Sequence, residues 1–271
     1  MKKFIIKSAI FIIICIALAL AVEYVCYRYG DWRQTIDGWE VYTAIRNSKT
    51  KQGKKKLLIG DSVGMQLFPC NENNDSVALC TCNQAVTMAG FYMLMKNYLQ
   101  ANEECLPEEV ILLITPLSLH NNVDEYTYHY FLKPFKFREY YSDYSPLLRT
   151  RIRNIPFWWT ATLPFIRTSM YMQKYHPDMD EYSFSPLAKE YLHKMDSLAK
   201  EYNVDFVMRS APVKQCHKDS IESRLKYEEG NMNYLHQYLN NLQYMNDSCY
   251  VDKVHFTDEV LQTIEKSYLL R

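Results

Sequence analysis

The sequence feature that most constrains the fold is an unbroken apolar run near the middle of the chain. Residues Val110 to Thr115 read Val-Ile-Leu-Leu-Ile-Thr, without a charged side chain. A strand that is apolar on both faces has to be covered on both faces, which is the pattern of a central strand in a parallel sheet. The run therefore predicts a sheet with helices packed on each side.

Short apolar runs alternate with helical patterns along the chain from residue 54 onward. This alternation is typical of an α/β protein, and we predict a three-layer, doubly wound parallel sheet. The other predicted strands are Lys54–Ile59, Val77–Cys82, Asp205–Ala211 and Cys249–Val251. The predicted helices are Met88–Ala101, Pro186–Tyr202, 217–228, 230–244 and Thr257–Leu270.

The regular pattern is interrupted between Leu119 and Ser185, a stretch rich in Tyr, Phe, Trp and Pro. A compact α/β domain does not need so long a connection, so we predict an inserted, mainly helical cap over about 119–185. Its basic segments, Lys133–Arg138 and Arg149–Arg153, are either a solvated face or a contact for an anionic glycan or lipid head groups.

The N-terminus is almost wholly apolar from Phe4 to Val22, interrupted by Lys7 and Ser8, and is preceded by Lys2 and Lys3. This length nearly crosses a bilayer, so residues 1–22 are predicted to be a membrane anchor with the body outside the cytoplasm, periplasmic or extracellular. A cleaved signal peptide and a secreted body are the alternative, because Ala19-Leu20-Ala21 offers a small-x-small site. We interpret residues 23–53 as a juxtamembrane stalk and 54–271 as the functional domain.

Composition excludes some classes of function. The formal net charge is zero, which gives no electrostatic case for nucleic acid. The spacing of Cys and His offers no CxxC or HxxxH pair, so neither a metal nor another cofactor is predicted. The six cysteines beyond residue 53 either form disulfides or remain buried thiols.

Two short motifs at opposite ends of the domain carry candidate chemistry. Gly60-Asp61-Ser62 directly follows the first predicted strand, where α/β folds place nucleophiles. Asp252-Lys253-Val254-His255 supplies an acid and an imidazole just before the closing helix. Together they provide the parts of a catalytic triad in the chain order Ser62, Asp252, His255, although each motif is also an ordinary turn or capping sequence.

These motifs resemble the GDS and DxxH motifs of the SGNH (GDSL) hydrolase family, over residues 54–271. The resemblance implies that Ser62 is the nucleophile, His255 its base and Asp252 the residue that orients the histidine. It also implies an oxyanion hole made by the backbone N–H of Ser62 and a second N–H, from Met88 or Gly90 depending on the alignment.

Three further residues are candidates for substrate binding. Asp61 belongs to the GDS motif, Asn83 follows the second predicted strand, and Arg209 lies near the end of the fourth. All three are expected at the carboxyl edge of the sheet, where α/β proteins bind their ligands.

The chain departs from the family after the third strand. The family's Gly-x-Asn-Asp, whose asparagine is an oxyanion donor, is replaced by Thr115-Pro116-Leu117-Ser118-Leu119, and Asn121 and Asn122 come later. In this respect the chain resembles divergent, membrane-anchored members linked to envelope polysaccharide O-acetylation, and the D-alanyl transfer protein of teichoic acid loci.

The resemblance implies an acetylesterase or O-acetyltransferase that acts on acylated carbohydrate through an acyl-serine intermediate. A multi-span membrane acyltransferase is the partner that it suggests. The alternative is a catalytically degenerate member that binds glycans or assists polysaccharide assembly.

Overall fold

A parallel sheet lies at the centre of the part of the chain that the computed structural model describes, residues 2–29, 38–83, 86–123, 128–159, 182–228 and 232–270. Within these residues the main sheet has four strands in the order β2-β1-β3-β4, all parallel. The strands are β1 (Lys56–Gly60), β2 (Val77–Thr81), β3 (Glu109–Leu113) and β4 (Asp205–Arg209). The predicted α/β class with a parallel sheet is confirmed.

Helices account for most of the remaining regular structure. They are α1 (Lys2–Tyr29), α2 (Trp39–Ser48), α3 (Ser62–Leu67), α4 (Thr87–Ala101), α5 (Tyr128–Phe135), α6 (Pro146–Asn154), α7 (Pro186–Tyr202), α8 (Lys218–Glu228), α9 (Asn233–Asn240) and α10 (Asp258–Thr263). Short 3₁₀ segments cover Pro116–His120, Arg138–Tyr140, Gln215–His217, Asp247–Cys249 and Ser267–Leu270.

Helices cover both faces of the sheet, as the apolar central run requires. Side chains of alternate residues point to opposite faces of a strand. Leu57, Val110 and Leu112 pack in one cluster with α2, α4 and α7, whereas Leu58 and Ile111 pack with α3 and the C-terminal segment. The central strand β3 is fully buried from Val110 to Leu112.

The strand order creates a switch point between β1 and β3. The chain leaves β1 through α3 on one face of the sheet to reach β2, and leaves β2 through α4 on the other face to reach β3. Adjacent strands whose connections depart in opposite directions open a crevice at their carboxyl ends, where open α/β sheets bind ligands. Ser62 and Thr115 follow the two strands that border this crevice.

The predicted strand Cys249–Val251 is wrong. The last parallel pairing is a two-stranded sheet formed by β5 (Val213–Lys214) and β6 (Tyr244–Met245). A 3₁₀ turn capped by the Asn246 side chain covers Asp247–Cys249, and Tyr250 then forms an isolated antiparallel bridge with Phe256. An apolar triplet suggested a strand, but the polar turn before it redirects the chain.

The predicted helices near the C-terminus are too long. The expected helix 230–244 is α9, which ends at Asn240, and the closing helix ends at Thr263 before a 3₁₀ turn. Ile264 is extended (φ −66°, ψ 126°) and interrupts the helix between these two pieces.

The segment interpreted as a stalk belongs in part to the folded body. On α2, Val41, Ala44 and Ile45 are at most 2% exposed and join the core cluster on the face of the sheet that α4 and α7 cover. The Asn47 side chain donates to Cys70 O (2.6 Å) and Leu79 O (2.9 Å). The domain boundary predicted at residue 54 therefore lies too late, and the body includes the chain from residue 38.

The described part of the predicted cap is helical and packs tightly. Phe131 and Phe135 of α5 are fully buried in the main core, as is Leu148 of α6. Ion pairs from Glu139 to Lys49 (2.7 Å) and from Asp143 to Lys96 (2.5 Å) attach this segment to the body. Residues 124–127 and 160–181 of the predicted cap lie outside the described residues.

Helix α1 is long and apolar enough to cross a membrane over Lys2–Val22. Its side chains are largely exposed in the structure, for example Phe4 (75%) and Phe11 (67%). The cysteines whose side chains the structure describes are unpaired thiols, so the disulfide alternative is not found among them. Burial raises the pKa of Cys70 to about 12 and that of Cys80 still further.

The packing of α2 gives a first prediction. Ile45→Ala should lower the free energy of unfolding by about 2–5 kcal/mol, because it leaves a cavity in the core. The neighbouring Arg46→Ala, on the exposed side of α2, should change it by less than about 0.5 kcal/mol. Urea unfolding followed by circular dichroism measures both, and equal effects would restore the stalk interpretation.

Candidate active site

Ser62 lies at the start of α3, directly after the carboxyl end of β1. The strand approaches β3 so closely here that a Cβ on Gly60 would lie 2.6 Å from Leu113 O, so only glycine fits. Asp61 then caps α3, with Oδ1 accepting from the N–H groups of Val63 (3.0 Å) and Gly64 (3.2 Å). Strand, glycine and cap together fix the position of Ser62.

The Asp61 carboxylate joins the ends of β1 and β3. Its Oδ2 accepts from the Thr115 N–H (2.7 Å), the Thr115 hydroxyl (3.0 Å) and the Ser118 hydroxyl (2.6 Å). Asp61 is 0% exposed. Because the carboxylate is buried and both oxygens already accept hydrogen bonds, it has no face left for a ligand. This does not fit the predicted direct contact between Asp61 and substrate; Asp61 instead holds the chain on which Ser62 lies.

Ser62, His255 and Asp252 converge although they are far apart in sequence. His255 Nε2 lies 2.9 Å from Ser62 Oγ, and His255 Nδ1 lies 2.7 Å from Asp252 Oδ2. The other oxygen of Asp252 accepts from the N–H groups of Val254 (2.9 Å) and His255 (2.8 Å). This is the arrangement of nucleophile, base and orienting acid that a serine triad requires.

The proton positions follow from the charge of Asp252. Burial acts to raise the pKa of this carboxyl, but hydrogen bonds from the backbone N–H groups of His255 and Val254 and from the His255 ring outweigh it, so the pKa lies below its ordinary value. An ionised carboxylate only accepts, so Nδ1 of a neutral His255 carries the proton. Nε2 then has a lone pair aimed at the Ser62 hydroxyl.

Gln66 connects the helix of Ser62 to the loop of His255, and the sequence motifs did not reveal it. Its side-chain amide donates to Phe256 O (2.9 Å) and accepts from the Phe256 N–H (2.9 Å). Gln66 lies one helical turn after Ser62, and Phe256 directly follows His255. The only sequence signal is the i, i+4 spacing from Ser62, since nothing in the sequence identifies Phe256 as its partner.

The predicted oxyanion donors lie on two helix starts. The Asp61 cap uses the N–H groups of Val63 and Gly64 but not that of Ser62.

Met88 and Gly90 are both fully buried in the first turn of α4. The N–H of the second helical residue has no partner within its own helix, whereas that of the fourth does, which favours Met88 over Gly90. At Gly90 a Cβ would lie 2.1 Å from Val86 Cγ1, so close packing explains this glycine.

The other two predicted substrate residues lie at different distances from Ser62 along the edge of the sheet. Asn83 follows β2, beside the end of β1, where Cys82 N–H bonds Gly60 O at 2.9 Å. Arg209 is in register with Leu113 on the far side of β3, so about two strand spacings, roughly 10 Å, separate its backbone from β1. It lines a cleft of about 210 Å³ with Tyr238 and Tyr268.

The residues that stand where the SGNH family has Gly-x-Asn-Asp have a structural use here. Thr115 and Ser118 both bind Asp61. Asn121 is buried, and its side chain accepts from the Val123 N–H (3.1 Å). Asn121 therefore orders its own loop.

No protein-family model, curated protein or solved structure matches this chain. The argument for function therefore rests on the geometry of the site.

A second prediction concerns the Asp61 carboxylate. Asp61→Asn keeps the size but turns an NH₂ group towards buried donors, and should lower the free energy of unfolding by at least about 3 kcal/mol. Urea unfolding measures the loss. Asp75→Asn, at an exposed position, is the control and should cost less than about 0.5 kcal/mol. A matching small loss for both variants would contradict the structural role of Asp61.

A third prediction concerns Gln66. Gln66→Leu removes both hydrogen bonds to Phe256, and losing even one of about 1.5 kcal/mol should speed exchange of the Phe256 amide hydrogen by roughly tenfold. Hydrogen–deuterium exchange of the peptide around residues 250–260 measures this. Gln262→Leu, exposed on α10, should leave the exchange unchanged. Unchanged exchange in Gln66→Leu would show that the loop holds His255 without this clamp.

Proposed function

We propose that the chain is a serine acyl-ester enzyme of the SGNH type that acts on acylated carbohydrate. The observation that carries the proposal is the 2.9 Å contact between Ser62 Oγ and His255 Nε2, with Asp252 2.7 Å from the other ring nitrogen. The position of this trio at the switch point of a parallel sheet supports it, because that crevice is where such sheets bind ligands.

In the proposed reaction Ser62 Oγ attacks the carbonyl carbon of an ester while His255 Nε2 takes the hydroxyl proton. The C–O bond to the departing sugar hydroxyl breaks, and His255 returns the proton to that oxygen. The acyl group stays on Ser62 until water or another sugar hydroxyl attacks the acyl carbon and gives its proton to His255. The bond between the acyl carbon and Ser62 Oγ then breaks, and His255 returns the proton to that oxygen. Asp252 stays ionised and stabilises the imidazolium.

The oxyanion of the tetrahedral intermediate needs donors aimed at it. We propose the N–H groups of Ser62 and Met88, since in comparable enzymes each such donor lowers the barrier by about 3–4 kcal/mol. The asparagine of the family's Gly-x-Asn-Asp is replaced by residues that bind Asp61. This departure favours acyl transfer over ordinary ester hydrolysis as the proposed reaction, because in this respect the sequence resembles the membrane-anchored members linked to O-acetylation.

The exposure of the site supports a large substrate. The side chains of His255 and Asp252 are 33% and 52% exposed, so the base and its partner lie at the surface rather than in a deep pocket. A surface site admits a residue within a polymer, such as an acylated polysaccharide chain.

We further propose that α1 is retained as a membrane anchor and that the body lies outside the cytoplasm, with cleavage and secretion as the alternative. The lysines before the apolar run favour this orientation. A multi-span membrane acyltransferase is the proposed partner, because transfer requires a source of acyl groups.

A non-catalytic glycan-binding protein is the second candidate. The replacement of the Gly-x-Asn-Asp asparagine favours it, since a degenerate site loses oxyanion stabilisation before it loses its fold.

The test is labelling by a serine-directed fluorophosphonate, together with release of acetate from an acetylated polysaccharide. Ser62→Ala should abolish labelling and lower acetate release by several orders of magnitude. His255→Ala should slow both by about 10²–10⁴-fold, the usual contribution of a general base. The double variant should lose little more than Ser62→Ala alone, because the residues act as a unit.

Ser197→Ala, at an exposed position on α7, is the matched control and should retain full labelling. Wild-type protein that resists labelling, or Ser62→Ala that still turns over ester, would reject the enzyme and favour the glycan-binding candidate.

A further inference from the structure

Large apolar side chains that are exposed outside α1 concentrate in one part of the chain. Among the described residues, four of the five such side chains are Tyr141 (54% exposed), Phe157 (72%), Trp158 (37%) and Trp159 (52%), and the fifth is Val251. We call these four residues, with Arg149 and Arg153, the aromatic-basic face. A cluster of large exposed aromatic side chains marks an interaction surface.

Packing directs this face outward. On α6, Leu148 and Ile152 are buried, and Ile155 anchors the chain just beyond the helix. Arg149 and Arg153 are one helical turn apart on the exposed side.

Hydrogen bonds attach the two ends of the face to α6 and to the residue that follows it. Arg149 donates to Tyr141 O at 2.9 Å, which joins α6 to the preceding segment. Beyond α6, the Trp158 N–H bonds Ile155 O (3.3 Å), so the exposed aromatic residues remain tied to the same anchor.

The charge of the surrounding segment is positive. Between residues 133 and 153 the sequence has six cationic residues and two acidic ones. Both acids form ion pairs with lysines of the body, Glu139 with Lys49 and Asp143 with Lys96. The arginines of α6 therefore dominate the charge that the face presents.

The same segment contacts the membrane helix. The ring of Tyr24, just after the apolar span of α1, meets the ring of Phe137 edge-on at a centroid distance of 6.4 Å. Tyrosine and tryptophan favour the interface between lipid and water, so Tyr24 marks its level. Phe137 thus brings the segment that carries the face next to the interface.

We propose that the aromatic-basic face docks on the bilayer surface beside α1, with Trp158 and Trp159 at the interface and Arg149 and Arg153 on anionic phospholipid head groups. Tryptophan with arginine suits this boundary, and each cation near an anionic surface contributes about 1 kcal/mol. The inference rests on the proposed retention of α1 and is independent of the chemistry at Ser62.

The experiment uses the full chain in lipid nanodiscs that contain phosphatidylglycerol, with bromine on the acyl chains near the head groups as a quencher. The fluorescence of Trp158 and Trp159 is obtained as the difference in tryptophan fluorescence between wild type and the W158Y/W159Y variant. We expect the bromine to quench this difference. In R149Q/R153Q the quenching should weaken, because losing two cations worth about 1 kcal/mol each shifts the docking equilibrium roughly 30-fold.

The K55Q/K200Q variant is the matched control, since it removes two exposed charges elsewhere, and it should be quenched like wild type. An unquenched signal overturns the proposal, as does equal quenching in discs of phosphatidylcholine alone. Protection of the tryptophans in native membranes but not in lipid discs would assign the face to a membrane protein instead.

Two further measurements distinguish failure of the docking proposal from failure of the membrane anchor or of the proposed serine chemistry. Co-elution of the chain with the disc checks the anchor, and a chain that does not co-elute overturns the premise and the proposal together. Fluorophosphonate labelling of Ser62 in the same discs should be unaffected by R149Q/R153Q, so failure of docking and failure of the serine chemistry are distinguishable.

Discussion

The arrangement of the site depends on one buried carboxylate. Asp61 accepts hydrogen bonds from the first turn of α3 and from the segment after β3, while its own N–H bonds Leu113 O at 3.2 Å. A charged acceptor in a dry environment binds its donors strongly and tolerates few alternative geometries. The ends of β1 and β3 and the start of α3 are therefore held as one rigid unit, and Ser62 is attached to that unit.

The other half of the site is a loop, and loops are less well fixed than strand ends. Here the loop closes on itself, because the Val251 N–H bonds His255 O and Tyr250 pairs with Phe256. Gln66 then attaches it to α3 by two hydrogen bonds. Ser62 and Gln66 share one short helix, so the same element carries Ser62 and positions His255. The precision of their 2.9 Å contact follows from this shared support.

Local patterns predicted those parts of the structure that local physics decides. The strand Val110–Thr115 follows from its own apolarity, and the candidate trio of Ser62, Asp252 and His255 follows from motifs at a strand end and before a helix. The roles of Asp61 and Gln66 depend on partners 54 and 190 residues away, which no window of the sequence contains. The strand predicted at Cys249–Val251 failed because a polar turn, rather than β propensity, decides that segment.

The buried cysteines have a consequence for how the protein matures. Only a thiolate attacks a disulfide or an oxidant efficiently, and burial raises the pKa of Cys70 to about 12. In an oxidising compartment, once the core has closed, this thiol and its buried neighbours Cys80 and Cys82 react too slowly to become cross-linked. Mispairing is then confined to the time before folding, so the rate at which the sheet forms decides how much of the chain reaches its native state.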